Sequence, residues 1–309
     1  MDNLSSFDQV LQNDELVEIS KIRNTVLRSL QEYAQDAGFF QMMPILMSPI
    51  TDPLNHAVYP AEIEYEGRRL KLTASMIFHK QLILRASGHE KIFILAPNIR
   101  LEKAEIKSSS NHLLEFSQFD LEIKNASMHD VITFLNGLFL HVFKRVKEEC
   151  RDSLSALGRE LPDYTESFPI YSTDELREKY GNDFEKVISE QSSTPVFLTN
   201  FKREFYDRET PGVRGQYNNF DIIYPEGYGE GLSGAEREFE YEQIIYRMKE
   251  LDMDLEPYAN YLEAAKRGMI PSTAGAGIGI ERLIKFICGK RDIKDIQLFD
   301  RSVSTEFLF

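Results

Sequence analysis

The stretch Ser272-Thr-Ala-Gly-Ala-Gly-Ile-Gly-Ile-Glu-Arg282 joins three alternating glycines to the apolar run Leu283-Ile-Lys-Phe-Ile287. Alternating glycines let a strand lie against a flat ligand, because no side chain stands in the way. The apolar run predicts a helix that begins beside that ligand, with Arg282 at the junction, where a cation can meet a phosphate or stack on a base. The stretch lacks the Gly-Lys-Ser/Thr end of a P-loop and the spacing of a dinucleotide fingerprint. By itself it fits a nucleotide site and a plain Gly-rich turn alike.

Composition narrows the class of protein. The chain has 309 residues, with 36 basic against 50 acidic side chains and a net charge of -14. This charge argues against a broad nucleic-acid surface. Cys150 and Cys288 lie far apart in apolar patterns, which indicates buried, reduced thiols and a cytoplasmic setting. No apolar run is long enough to span a membrane, and the polar N-terminus is not a signal peptide.

The N-terminal part of the chain predicts a long helix followed by an interrupted strand. Apolar residues recur at helical spacing from Asp14 to Ala37, and Gly38 is suited to end the helix. A short strand over residues 39–46 contains Pro44 at its middle. Because proline cannot donate to a strand ladder, we expect this segment at a sheet edge or an interface.

The rest of the chain alternates hairpins with helices. Strand or hairpin patterns cover residues 62–73, 93–96, 113–123, 195–200 and 220–230. Helical patterns cover 75–84, 128–150 and 258–267, and a further helix follows residues 233–238 and ends near Leu251. Such an order predicts an α+β fold, an antiparallel sheet flanked by helices. Without repeats or low-complexity linkers, we expect one domain over residues 1–309, with a loose segment at 1–13 and a candidate insertion at 151–191.

Several charged residues follow buried strands and are candidates for chemistry. Arg100 comes directly after an apolar strand, and Asp221 and Glu230 lie on the two arms of one hairpin. A carboxylate pair of this kind suits Mg²⁺, which bridges nucleotide phosphates. Arg237 is expected in a small-residue turn before a helix, and His112 in a Ser-rich loop. The alternative for each charged residue is a structural ion pair, and for His112 an exposed loop histidine.

Taken together, these segments resemble the catalytic core of class II aminoacyl-tRNA synthetases over roughly residues 14–301. The segment from Gly38 to Pro44 looks like motif 1, the dimer interface. Ile99-Arg-Leu-Glu102 and His112-Leu-Leu-Glu-Phe116 look like motif 2, and Gly275–Arg282 looks like motif 3. Three motifs in the right order are far more specific than any one of them. The resemblance implies the class II fold, ATP with Mg²⁺, and a homodimer.

The resemblance also implies roles for individual residues. Arg100 holds the α-phosphate and Phe116 stacks on adenine, while His112 and Arg282 meet the distal phosphates. Arg100 and Arg282 are therefore the expected catalytic residues. Asp221 and Glu230 are the expected metal ligands, and the full expected ATP site consists of Arg100, Glu102, His112, Phe116, Glu230, Gly279 and Arg282.

Within the class, the chain resembles the aspartyl/asparaginyl branch. Ser75-Met-Ile-Phe-His-Lys80-Gln81 and Ser233-Gly234-Ala-Glu-Arg237-Glu look like its amino-acid pocket. Lys80 and Arg237 would surround the substrate side chain, and two cations suit the carboxylate of aspartate better than an amide. Ser75 would orient the amino end, Gly234 would line the pocket, and Glu62 would pair with the ammonium group.

This branch carries an anticodon-binding barrel ahead of motif 1, and here motif 1 begins near Asp14. We therefore expect no such barrel, and tRNA is not the expected partner. The strings at residues 49–53, 75–81, 203–208 and 228–230 resemble the archaeal asparagine synthetases related to asparaginyl-tRNA synthetase. The implied reaction converts aspartate, ATP and ammonia into asparagine, AMP and pyrophosphate through β-aspartyl-AMP. Free ammonia is the expected donor, because neither cysteine has the setting of an amidotransferase nucleophile.

At two positions the sequence differs from the aspartyl/asparaginyl branch, and these differences leave other functions open. Asn111 stands where the branch has an arginine before the motif 2 histidine, which bears on binding of the terminal phosphates. Ile77 stands where aspartyl-tRNA synthetases have a substrate-contacting glutamine. The alternatives are an aminoacyl ligase that acts on a tRNA or protein acceptor, and a regulatory paralogue without turnover.

Overall fold

A computed structural model describes residues 13–103, 105 and 109–303. Residues 1–12 of the segment that we expect to be loose, 1–13, lie outside the described residues. The main sheet has eight strands in the order β1-β6-β8-β13-β12-β11-β10-β9. Its strands are β1 Phe40–Gln41, β6 Lys91–Ile99, β8 Glu115–Lys124, β9 Ile170–Ser172, β10 Val196–Thr199, β11 Asn219–Tyr224, β12 Gly229–Glu236 and β13 Thr273–Gly279.

Two smaller sheets and nine helices complete the described fold. The smaller sheets pair β2 Met47–Ser48, β5 Arg68–Leu72 and β4 Glu62–Tyr65, and β3 Val58–Tyr59 with β7 Leu101–Glu102. The helices are α1 Asp14–Asp36, α2 Ile77–Ser87, α3 Met128–Glu149, α4 Arg151–Ala156, α5 Thr173–Tyr180, α6 Phe184–Gln191, α7 Tyr241–Glu250, α8 Ala259–Lys266 and α9 Ile280–Ile287.

The antiparallel sheet confirms the predicted α+β class. The central ladders β6–β8, β8–β13, β13–β12 and β12–β11 are all antiparallel, and only the edge strands β1 and β9 pair in parallel. The predicted edge position is also confirmed, because β1 ends the sheet. The predicted strand over 39–46 is too long, since only Phe40–Gln41 pairs and the chain leaves the strand before Pro44.

Helices α1 and α3 build the main core against the sheet. Ser127 and Asp130 form a reciprocal capping box at the start of α3, and the Asn13 side chain caps α1. Both helices bury one apolar stripe, including Ile22, Val26 and Leu135, as expected for amphipathic helices on a sheet. Among the described residues, no helix is long and apolar enough to cross a bilayer.

The glycines of the central strand β13 leave room for side chains and backbone of the neighbouring strand β8. A Cβ on Gly275 would come within 2.1 Å of a Glu122 carboxylate oxygen and 2.2 Å of the Leu121 carbonyl oxygen. A Cβ on Gly277 would meet Asp120 and Gln118 at 3.0 Å. The sequence interpretation assigned this space to a flat ligand; at Gly275, polar side chains of β8 occupy it instead.

The segment 233–236 differs from the sequence prediction. It was expected as a small-residue turn leading to a helix, but it is the second half of β12, and Arg237 follows that strand. Small residues are needed here for packing, because a Cβ on Gly234 would lie 2.4 Å from the Phe220 ring. The next helix, α7, begins only at Tyr241.

Candidate active site

A cleft of about 450 Å³ lies over the centre of the sheet. Its lining comes chiefly from six parts of the chain: the loop at 52–56, the start of α2 with the residues just before it, the motif 2 strands, the loop at 201–207, the β11–β12 hairpin and the β13–α9 junction. All but one of the residues that the sequence predicted for the site line it: Ser75, Lys80, Arg100, Glu102, His112, Phe116, Asp221, Glu230, Gly234, Arg237, Gly279 and Arg282.

Glu62 is the exception, because it lies apart from the residues that line the cleft. It begins β4 of the small hairpin sheet, where its carboxylate is 3.6 Å from Arg69. Both side chains face solvent to a large extent, and such pairs contribute little. A role for Glu62 at the substrate ammonium therefore has no support from this geometry.

Arg100 and Phe116 form one wall of the cleft. Arg100 Nε donates to the Ala74 carbonyl oxygen at 3.2 Å, and its guanidinium carbon lies 5.1 Å from the Phe116 ring centre. A guanidinium held over an aromatic face keeps its remaining N–H groups free for an anion. On the next short strand, both Glu102 carboxylate oxygens lie 3.0 Å from His56 Nε2.

The turn before β8 presents His112. Its Nδ1 lies 2.5 Å from Ser109 Oγ. Burial, reinforced by the nearby Arg282 guanidinium, lowers the pKa of His112. The imidazole is therefore mainly neutral at pH 7, and it offers an anion a hydrogen-bond donor rather than a charge.

Asp221 and Glu230 face the same cleft and are held by different arginines. Asp221 Oδ1 accepts from Arg203 and from Ser233, each at 2.6 Å. Glu230 Oε2 lies 3.3 Å from Arg282 Nη1. Burial raises the pKa of Asp221 to about 6, although Arg203 opposes this. Partial removal from water works against ionisation of Glu230, but Arg282 and Arg203 outweigh it and lower its pKa.

These two carboxylates fit a magnesium site that phosphate oxygens complete. Carboxylate oxygens are hard ligands, and Mg²⁺ on nucleotides commonly takes only one or two protein carboxylates. Both hydrogen bonds to Asp221 go to Oδ1, so Oδ2 is available to a ligand. Within the described part of the chain, no group of three or more histidine, cysteine or acidic residues could bind a metal without such help.

The other end of the cleft holds Lys80 and Arg237 in a buried ion-pair network. Lys80 Nζ lies 2.8 Å from Asp120 Oδ1 and 3.5 Å from Glu122 Oε2. Arg237 Nε donates to Glu122 Oε1 at 3.2 Å, and its Nη1 lies 3.7 Å from Asp207. From the sequence, Lys80 and Arg237 are expected to surround the substrate side chain. The structure shows both already paired with protein carboxylates.

Sequence reasoning missed Asp120, Glu122, Arg203 and Asp207, which organise this end of the site. Asp120 lines the cleft, and its Oδ2 is buried without a hydrogen-bond partner among the described residues. An unpaired buried carboxylate oxygen suits a ligand that brings an N–H donor, such as an ammonium group. The signal in the sequence was weak, because acidic residues that alternate along a strand usually face solvent.

A sheet of this topology with motif 2 and motif 3 residues in one cleft defines a class II aminoacyl-tRNA synthetase core. Within this class, the chain belongs to one family. Residues 7–303 match the family of tRNA synthetases class II (D, K and N), which covers nearly the whole chain. The predicted resemblance to the aspartyl/asparaginyl branch is thereby confirmed.

Individual relatives point to the same branch. The chain is 31% identical to an aspartate–tRNA(Asp/Asn) ligase of Methanopyrus kandleri, over 94% of this chain and 69% of the relative. It is 25% identical to an asparagine–tRNA ligase of Thermoplasma acidophilum, over 95% and 71% respectively. Asparaginyl-tRNA synthetase of Pyrococcus horikoshii with asparaginyl-adenylate shares the fold, with a TM-score of 0.82 at 24% identity, covering 95% of this chain and 70% of that one.

Proposed function

We propose that the protein is an AMP-forming ligase that activates aspartate with ATP. The observation that carries this proposal is the convergence, in one cleft, of Arg100, Phe116 and Arg282 with Lys80 and Arg237. Arg100, Phe116 and Arg282 suit a nucleoside triphosphate. Lys80 and Arg237 suit an acidic amino acid. The match of the family over almost the entire chain supports the same chemistry.

At the nucleotide end, the proposed chemistry needs positioning and charge stabilisation rather than a protein nucleophile. A carboxylate of aspartate attacks the α-phosphorus of ATP, an aspartyl-adenylate forms and pyrophosphate leaves. Arg100 would stabilise charge on the α-phosphate, and Arg282 would stabilise charge on the leaving pyrophosphate. Mg²⁺ would be held by Asp221 and Glu230 together with phosphate oxygens, and it would neutralise phosphate charge.

At the amino-acid end, Lys80 would meet the side-chain carboxylate of aspartate. Its ammonium has three donors, of which one goes to Asp120 at 2.8 Å, and Glu122 Oε2 is an ion-pair partner 3.5 Å away. Arg237 lies across Glu122 and would close the same pocket. The orphaned Asp120 Oδ2 is a suitable acceptor for the substrate ammonium.

For the acceptor, the relatives favour an aminoacyl ligase that acts on a tRNA. The similar proteins named above are aspartate–tRNA and asparagine–tRNA ligases. This favours the tRNA acceptor, one of the alternatives left open by the sequence, over the asparagine synthetase that we expected first. In this reaction the α-carboxylate is activated as aspartyl-AMP, a hydroxyl of the tRNA attacks its acyl carbon, and AMP leaves as the aspartyl ester forms.

Ammonia remains the second candidate acceptor, with asparagine as the product. It is favoured by the net charge of -14 and by the acidic cleft, whose walls carry nine carboxylates and six lysine or arginine side chains. Such a surface attracts ammonium. ATP would bind here through Arg100, Arg282 and Mg²⁺, whereas a tRNA would need further cations along its backbone. In this reaction the side-chain carboxylate is activated and ammonia displaces AMP.

The test is one incubation of the full chain with ATP, Mg²⁺ and aspartate in three arms, with no acceptor, with ammonium or with total tRNA. AMP, asparagine and aspartyl-tRNA are followed together by mass spectrometry. AMP with aspartyl-tRNA supports the tRNA ligase, and AMP with stoichiometric asparagine supports the synthetase. Absence of any aspartate-dependent AMP or pyrophosphate would refute the proposal and favour a regulatory paralogue.

A further inference from the structure

Lys285 of helix α9 is a buried cation beside the motif 2 turn. Its side chain is 3% exposed, and its Nζ donates to the Ser110 carbonyl oxygen at 3.0 Å and to Asn111 Oδ1. Within the described residues, no carboxylate forms a salt bridge with it. A buried ammonium whose direct contacts are neutral oxygens is only partly compensated by the more distant carboxylates of Asp292 and Asp295, and a bound anion would stabilise it further.

The contact with Lys285 fixes the orientation of the Asn111 amide. A lysine ammonium can only donate, so the amide oxygen of Asn111 must point at it. The amide nitrogen, with its two N–H donors, is then left for the opposite direction. Asn111 lines the cleft together with His112 and Arg282, so donors for an anion collect at this point.

Ser109 extends the same arrangement to His112. Its Oγ accepts the Asn111 backbone N–H at 3.2 Å and lies 2.5 Å from His112 Nδ1. We take the tautomer in which the Ser109 hydroxyl donates to Nδ1, which places the imidazole proton on Nε2. Asn111 Nδ2, His112 Nε2 and the Arg282 guanidinium therefore all present N–H groups.

We propose that Lys285 is a positioning residue for the terminal phosphates of ATP. It supplies from α9 the positive charge that the aspartyl/asparaginyl branch carries on the motif 2 turn at position 111, and it aims the Asn111 amide at those phosphates. The inference rests on the proposed function, because it takes ATP as the substrate. It also gives the departure at Asn111 a physical meaning, since the missing cation is replaced from another element.

The decisive comparison is the affinity for Mg-ATP against that for AMP, which has no terminal phosphates. We expect Lys285→Met to weaken Mg-ATP binding about tenfold, in the range for loss of one charge-assisted hydrogen bond, and to leave AMP binding unchanged. Isothermal titration calorimetry without aspartate measures both. Lys290→Met is the matched control, because Lys290 closes the same helix but pairs with Glu15 on α1 at 2.8 Å.

A rescue variant separates positioning from mere folding. Asn111→Arg combined with Lys285→Met moves the cation back to the motif 2 turn, and we expect it to restore most of the Mg-ATP affinity. A structural role for Lys285 predicts a different result, in which K285M weakens AMP and Mg-ATP equally and the double variant rescues neither. That result would overturn the inference.

The pH dependence offers a second readout. Burial lowers the pKa of Lys285 to about 8, and the ammonium is charged below this value. Mg-ATP affinity should therefore decline between pH 7 and 9 in the wild type, while AMP affinity should not, and Lys285→Arg should remove the decline. The charged and titratable groups around Nζ are Asp292, Arg282, Arg291 and Asp295, with the Tyr228 ring 5.9 Å away.

The two proposals fail in distinguishable ways. If the wild-type protein binds Mg-ATP no better than AMP, the proposed function is wrong. If the wild type prefers Mg-ATP and K285M retains the whole preference, only the inference about Lys285 is wrong.

Discussion

At the scale of single residues, Arg100 is the cation whose loss should affect the chemical step most. Its guanidinium is anchored at one N–H by the Ala74 carbonyl oxygen and lies over Phe116, so it is preorganised for an anion. We expect Arg100→Ala to reduce aspartate-dependent pyrophosphate exchange about 10²- to 10³-fold, as for the loss of one preorganised donor. Arg69→Ala, on the exposed hairpin, is the control and should exchange normally. Unchanged exchange in R100A would contradict the assigned role.

Asp221 predicts a pH dependence of magnesium binding. Its pKa is raised to about 6, chiefly by burial, so its proton competes with the metal below that pH. We expect the apparent Mg²⁺ affinity, measured in the presence of ATP, to fall by up to about tenfold per pH unit as pH drops below 6. Asp221→Asn should bind Mg²⁺ more weakly at pH 8 and lose this dependence. A wild-type affinity that is flat from pH 5 to 8 would argue against Asp221 as a ligand.

At the scale of elements, strand β13 contains a glycine that packing requires, Gly275, and one with open space beside it, Gly279. A Cβ at Gly275 would overlap Glu122 and a backbone carbonyl oxygen, whereas at Gly279 the nearest atom is 3.5 Å away. Gly275→Ala should therefore destabilise the fold by roughly 1–3 kcal/mol through overpacking, and Gly279→Ala should not. Chemical denaturation measures both. Equal stability of the two variants would show that β8 and β13 can separate at little cost.

The same strand shows what the sequence could predict. The passage from strand β13 to helix α9 was predictable, because alternating glycines followed by an apolar run are a local pattern. The burial of Asp120 and Glu122 was not, because it arises only when β6 and β13 flank β8 on both sides. Arg237 was expected in a turn for a similar reason, since the small residues before it look flexible until Phe220 packs on Gly234.

The motifs predicted which residues line the site, but the sequence could not predict the contacts among them. Arg100, His112 and Arg282 lie in three separate segments, and only the motif resemblance connected them before the fold was known. The pairing of Lys80 and Arg237 with carboxylates could not be foreseen, because the partners come from β8 and from the loop before β11. For Glu62 the sequence predicts a contact with the substrate that the structure does not support. The small hairpin sheet that holds Glu62 is separate from the eight-stranded sheet under the cleft.

At the scale of the whole molecule, exposed apolar side chains concentrate around the edge strand β1. Phe40, Met43, Leu46 and Met47 are all at least half exposed, with Met43 at 81%. An apolar patch of this kind marks an interface, and it coincides with motif 1. We expect a homodimer, and Met43→Asp should shift the mass seen by light scattering at micromolar protein toward the monomer. Tyr171→Asp, on the opposite edge strand β9, is the control and should stay dimeric. A monomeric wild type would contradict the prediction.

The net charge of -14 makes salt a test of the acceptor. We expect a protein with this charge to hold a tRNA mainly through local phosphate contacts, and each such contact weakens as salt rises. If tRNA is the acceptor, the KM for tRNA should rise steeply between 50 and 200 mM salt, by about tenfold or more for a few contacts. The KM for aspartate should change little, because its pocket is buried. If ammonia is the acceptor, asparagine formation should vary little over the same range. Transfer to tRNA that is indifferent to salt would mean that shape or base contacts, rather than phosphate contacts, hold the acceptor on this acidic surface.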